Sequence, residues 1–317
     1  MTKARFASLA WAALAVTLAV ILWGAFVRAT GSGAGCGSHW PTCNGEVIPR
    51  PKTLATVIEL THRLTSGAVL VMVLVELVWA LAVFPKGHPA RRGAVLSTFF
   101  MVNEALIGAA LVLFEYVAHD KSVGRAVWMS IHLVNTFFLV AALTCTAYWG
   151  AGGARLRLRD QGLVFALVIA GALGTLVVGV SGAITALGDT LFAAPSLARG
   201  LADDLSPAAH FLQQLRVIHP IAAVLVAVFL LYARGAIAAR RPKPAARRAS
   251  LALGALIVAQ LGLGFLNLAL LAPVWMQMVH LLVADLIWVM FVLLSAAALG
   301  EDPVLEKEPQ IGVTAAC

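Results

Sequence analysis

Four histidines lie inside long apolar runs of this chain: His62 in "IELTHRL", His132 in "SIHLVN", His219 in "RVIHP" and His280 in "MVHLL". A single imidazole in hydrocarbon is usually a polar residue satisfied by a neighbouring carbonyl, but it is costly enough there that a recurring one points to function. Glu59 stands one helical turn before His62, so a helix would project both to one face; Arg216 holds the same place before His219. The segment "GSGAGCGSHWPTCNG", residues 31–45, carries Cys36 and Cys43, two of the chain's four cysteines. Nitrogen ligands for a metal, a carboxylate for proton transfer and a thiol pair are the chemistry on offer.

The elements that position these residues follow from composition. With 61% hydrophobic and 12% charged residues, the chain reads as an all-α polytopic membrane protein. Hydropathy predicts eight spans, near 6–27, 57–84, 93–114, 125–149, 162–187, 208–233, 249–271 and 274–298. The first run is longer than the apolar core of a signal peptide, so an uncleaved first helix is expected. Most of the 23 Lys and Arg residues fall in the alternate loops that share a side with the N-terminus, which predicts both termini in the cytoplasm and the cysteine loop outside. The net charge of +8 is this loop bias, and no folded domain is left over for nucleic acid. The tail 301–317 is polar and expected to be disordered, leaving Cys317 a free thiol in a reducing compartment. Cys145, within span four, reads as a small buried hydrophobe.

An internal repeat orders the histidines. Aligning 58–75 with 215–231 sets His62 over His219; 103–113 over 259–269 sets Glu104 over Gln260 and Gly108 over Gly264; 127–134 over 275–282 sets His132 over His280. Two four-helix bundles are predicted, residues 1–150 and 151–300, related by a pseudo-twofold axis along the membrane normal. All four histidine-bearing helices then run the same way and hold their rings at one depth. Two facing pairs suit axial ligation of haem iron, whereas zinc or copper prefers three or four convergent ligands.

The halves differ beside the histidines. A carboxylate at Glu59 could relay protons or stabilise positive charge, while Arg216 suits haem propionates, so one reactive site and one electron-carrying site are expected. Pairing of Glu59 with Arg63 alone is the plainer alternative. For the cysteines, a bridge would close a small loop of modest stabilising value, and position leaves a staple and a redox-active pair both open.

The glycine- and cysteine-bearing loop followed by "IELTHRL", with "SIHLVN", "RVIHP" and "MVHLL" on a duplicated eight-helix frame, resembles the heme A synthase family over everything but the tail. The resemblance implies oxidation of a methyl group of haem O to a formyl group, giving haem A for terminal oxidases. It implies His62 and His132 as ligands of the substrate haem iron, Glu59 as the catalytic carboxylate, and a haem b between His219 and His280 that feeds electrons inward. Arg63 and Arg216 would be cofactor-binding residues, and Cys36 and Cys43 would match a first-loop pair that can form a disulfide and is linked to thiol–disulfide exchange. Implied partners are haem O synthase, a quinol or other electron donor and an extracytoplasmic thiol–disulfide protein, at the cell membrane, with no nucleic acid and with oligomeric state open. The chain departs from some members in having no cysteine at 188–207.

Two histidines on the substrate iron leave no open position for dioxygen, so either one ligand is labile or oxidation withdraws electrons with water as nucleophile. Two other classes compete. A membrane cytochrome b passing electrons from quinol would stack its haems toward opposite faces, and a transporter with parallel repeats would want broken helices and a polar midplane.

Overall fold

The computed structural model describes residues 2–47, 49–50 and 53–301. Its long elements are α1 (Lys3–Ala29), α2 (Leu54–Val83), α3 (Pro89–Leu113), α4 (Val123–Gly150) and α5 (Leu163–Leu191). After these come the short α6 (Leu197–Asp204) and α7 (Phe211–Gln214), then α8 (Ile218–Arg240), α9 (Pro244–Ala269) and α10 (Val274–Leu299). Eight segments are long and apolar enough to cross a membrane, α7 and α8 together forming the sixth, Phe211–Arg240. The protein is a multi-pass, all-helical membrane protein. Residues 302–317 of the tail, with Cys317, and Lys52 lie outside the described residues.

Local chemistry sets the helix starts. Thr53 and Ser122 cap α2 and α4 by accepting from the Thr56 and Arg125 amides, and Pro89 and Pro244 sit in the first turns of α3 and α9, where a missing N–H costs nothing. The sixth span is not one smooth helix: a 3₁₀ turn, Leu215–Val217, separates α7 from α8. Pro220 accounts for the break, because its ring cannot donate to, and crowds, the carbonyl of residue 216.

In the first half α1 packs on α2 and α4, α2 on α3 and α3 on α4; in the second, α5 packs on α8, α8 on α9, and α10 on both α9 and α5. The halves meet where α4 lies on α5 and α10, and α1 on α10. Helices in lipid associate by close packing and hydrogen bonds rather than by the hydrophobic effect. Phe137 of α4 illustrates both: its ring fills the space over Gly179 of α5 and meets Trp288 of α10 edge-on, and its carbonyl accepts from Trp288 Nε1 at 2.8 Å. At the other end of the bundle from the cysteine loop, the 151–162 connection pairs with the end of α10 through Arg157 N–H to Leu299 O and Glu301 N–H to Arg155 O.

Candidate functional site

The four histidines sit on α2, α4, α8 and α10, six to nine residues into their spans. At about 1.5 Å per residue this places every ring roughly 9–14 Å from its span start, at one depth. Each is half-buried. Each also lies against a glycine of the preceding span: His62 on Gly24, His132 on Gly108, His219 on Gly182 and His280 on Gly264. A Cβ at Gly24 or Gly182 would stand 2.9 Å from the ring's Cε1, at Gly264 3.2 Å and at Gly108 4.0 Å. At Gly24, Gly182 and Gly264 glycine is what lets the helices approach closely enough to brace the rings.

His219 and His280 face one another with ring centres 6.5 Å apart and planes at 87°. Two imidazoles binding one metal from opposite sides, at about 2 Å per nitrogen, require a separation of roughly this size. His62 lies within electrostatic reach of His132 and Glu104. Nδ1 of His62 and of His280 is buried without a hydrogen-bond partner among the described residues. No group of three or more His, Cys, Asp or Glu side chains there forms a metal cluster. The facing His219 and His280 rings, their glycine cradles and the unpartnered His280 Nδ1 fit a haem held by that pair, and His62 and His132 share the glycine neighbours.

Polar neighbours distinguish the rings. Nδ1 of His132 lies 3.3 Å from the Glu104 carboxylate, at ion-pair distance but without hydrogen-bond alignment. Glu104 in turn accepts from Asn135 Nδ2 at 2.6 Å and from the Thr136 hydroxyl. His280 Nε2 lies 3.1 Å from the Gln260 amide nitrogen, and His219 Nδ1 3.2 Å from Ser181 Oγ. Two apolar clefts of about 350 Å³ reach these supports, one lined in part by Ser181 and the other by Asn135. That volume lies in the range of ligand pockets.

Glu59 turns to the first loop. Its buried carboxylate accepts from the Cys36 N–H at 2.8 Å and from Arg63 Nη2 at 2.5 Å, and Arg63 also donates to the carbonyls of His39 (2.7 Å) and Thr42 (2.8 Å). Cys36 and Cys43 form a disulfide and are both buried. Gly35 explains how the loop lies so low, since a Cβ there would be 2.4 Å from the Ala55 backbone. The ion pair thus clasps the bridged loop onto α2.

Arg216 has the corresponding task in the second half. It is buried, pairs with Asp189 (3.2 Å) and Asp204, and donates to Phe192 O, tying the α5–α8 connection to the start of α8. Sequence reasoning missed Arg28, which joins the halves: it donates to Ala186 O (2.6 Å) and Thr190 (2.8 Å) on α5 and to Gln277 (2.7 Å) on α10. Nothing in the sequence signals a contact across that many residues. Glu104 and Gln260 were visible as aligned positions, but not as neighbours of the histidines.

A family model described as "Cytochrome oxidase assembly protein" (COX15-CtaA) matches residues 7–292. The chain belongs to this family. A protein of Thermus thermophilus named "Protoheme IX farnesyltransferase" is 53% identical over 295 residues, covering 93% of this chain but 48% of that protein. A protein of the same name from a second strain of Thermus thermophilus matches to the same extent. The chain spans about half the length of these curated relatives. A protein of Bacillus mycoides named "Heme A synthase" is 38% identical over 131 residues, 41% of this chain and 40% of that protein.

Proposed function

We propose that this protein is a heme A synthase of the cell membrane, an oxidoreductase that converts a methyl group of haem O to the formyl group of haem A. The observation that carries the reading is the set of four half-buried histidines at one depth, each against a glycine, in a chain of the cytochrome oxidase assembly family. The likeness to the Bacillus protein supports the same activity. Residues 1–150 would form the substrate bundle and 151–300 an electron-carrying bundle, related by a pseudo-twofold axis; the matching contacts of His132 with Glu104 and Gly108, and of His280 with Gln260 and Gly264, support the duplication.

In this reading His62 and His132 hold haem O as substrate, and His219 and His280 hold a resident haem b, which supplies one-electron redox chemistry when bound. Glu59 is the catalytic carboxylate; it is held by Arg63 of α2 and by the Cys36 amide of the first loop, and Arg63 itself grips that loop through the His39 and Thr42 carbonyls. The loop excludes water from the substrate end, with Arg63 fixing the His39 and Thr42 carbonyls. Arg216 holds the corresponding end of the second bundle and, with Arg63, is the cationic group suited to propionates. In this reading both termini lie in the cytoplasm, as the distribution of Lys and Arg suggests, and the disulfide loop meets an extracytoplasmic thiol–disulfide partner and an electron donor such as a quinol.

The Thermus relatives bear on a further partner. They carry a farnesyltransferase name and are about twice the matched length, so this chain's counterpart shares a polypeptide with another segment. That arrangement supports haem O synthase, the source of farnesylated haem, as a working partner.

Haem extraction from the purified protein tests the proposal. Haem b together with haem O or haem A is expected; haem b alone would favour a cytochrome that passes electrons without modifying haem, and a haem-free protein would overturn both.

A further inference from the structure

The two halves place different chemical groups against the second histidine of each pair. Glu104 and Gln260 sit on the third and seventh spans, each four residues before the glycine that cradles its histidine, and each with a side-chain polar atom within 3.3 Å of a ring nitrogen. What differs is charge. Glu104 presents a carboxylate to His132 Nδ1 and is fixed there by Asn135 Nδ2 and the Thr136 hydroxyl, so it cannot swing away without breaking two hydrogen bonds. Gln260 presents a neutral amide nitrogen to His280 and uses the same nitrogen on the His280 carbonyl.

A carboxylate beside the far nitrogen of a ligating imidazole makes the ring a stronger electron donor to its metal. The effect is largest where water is scarce, and the Glu104 side chain is 17% exposed within a membrane span. An amide carries no net charge, so it lacks the pull that a carboxylate exerts on the ring N–H.

From this difference we infer that Glu104 and Gln260 are positioning residues that set the two irons apart: Glu104 strengthens His132 as a ligand and stabilises the oxidised iron of the substrate pair, while Gln260 leaves His280 the weaker donor. With the same haem in both sites, the iron held by His62 and His132 would have the lower midpoint potential. This inference rests on the haem reading above. It adds to that reading a reason why one duplicated frame provides two unlike sites, in residues that touch neither the iron nor the reacting methyl group.

Reciprocal exchange provides the test. Glu104→Gln, Gln260→Glu and Glu104→Asp are purified from membranes with their bound haems, and each haem is titrated potentiometrically, its bands assigned by comparison with His132→Ala and His280→Ala. Glu104→Gln is expected to move the substrate-pair potential upward and leave the other unchanged. Gln260→Glu should move the second potential downward, and Glu104→Asp should restore part of the first. A purely structural role would lower haem content or melting temperature with both potentials in place, and that result overturns the inference. If Glu104→Gln loses its haem altogether, Gln260→Glu decides alone, and an unmoved potential there refutes the idea. A wild-type protein free of haem would instead refute the haem reading, and this inference with it.

Discussion

Replacing the cradle glycines by alanine grades the histidine sites by a distance already visible in the structure. Ordinary contact begins near 3.4 Å, so a new Cβ at Gly24 or Gly182, 2.9 Å from the ring, must push His62 or His219 back by about 0.5 Å. At Gly264 the deficit is about 0.2 Å, and at Gly108, with 4.0 Å, there is none. A ligand constellation tolerates about 0.5 Å of misplacement, which puts the first two substitutions at the limit and the others inside it. Overpacking costs about 1–3 kcal/mol, while glycine to alanine within a helix recovers about 1 kcal/mol, so net destabilisation of the fold is small even where the site is disturbed. Gly262 and Gly67 serve as controls, since a Cβ there meets nothing within 4 Å. Low-spin haem absorbance per mole of protein, measured beside the melting temperature, should fall most in Gly182→Ala, less in Gly264→Ala and not at all in Gly262→Ala. Equal haem retention in Gly182→Ala and Gly262→Ala would refute the argument that these glycines hold ligand rings.

Other substitutions separate the remaining roles. Glu59→Gln should keep haem and abolish conversion; wild-type haem A in cells that depend on the variant would remove Glu59 from the chemistry. His219→Ala or His280→Ala should deplete haem b, whereas His62→Ala or His132→Ala should disturb substrate haem and activity, and identical haem losses from all four would contradict the division of labour. Replacing both Cys36 and Cys43 by serine removes a closure worth about 2.5 kcal/mol by chain entropy, but Arg63 and the Thr56 bond to Gly35 O still hold the loop. Haem b should therefore stay in place, and its loss would show that the bridge supports the bundle. Arg28→Gln breaks three bonds between the halves; at about 1.5–3 kcal/mol for a hydrogen bond to a charged group, a clear drop in melting temperature is expected, and an unchanged melt would mean the halves dock without it.

The eight spans were legible because each is a local property: long apolar composition, a capping hydroxyl or proline, and a polar connection. The break before α8 was not read from the sequence, where the sixth span is one run, although Pro220 is the residue that accounts for it. Pairing of the histidines could be reached through the repeat, which turns distant positions into matching ones. Glu59 shows the limit of such reasoning. Helical spacing put it on the His62 face, but the direction of its side chain is decided by the Cys36 amide and by Arg63, whose other bonds go to loop carbonyls more than twenty positions away. Arg28 is the extreme case, with partners 158, 162 and 249 residues distant, beyond any local pattern.

The pattern of charge around the two pairs suggests why duplication led to unlike halves. Three residues before the first histidine, both halves use a buried charged group to fasten their own connecting loop, Glu59 in one and Arg216 in the other. Beside the second histidine, one half has Glu104 and the other Gln260. Only the second difference leaves a carboxylate without a cationic partner: Glu59 is balanced by Arg63, and Arg216 by Asp189 and Asp204, whereas Glu104 faces His132 as a carboxylate where Gln260 offers His280 an amide. In a low-dielectric interior an unbalanced carboxylate acts strongly on a neighbouring ring, because there is little water to screen it. In the proposed reading the Glu104 carboxylate favours the oxidised iron of the first pair, and the Gln260 amide leaves the second pair without that bias. In that reading the glycines and histidines keep the geometry common to both halves, and the exchange of Glu104 for Gln260 carries the distinction between the two sites.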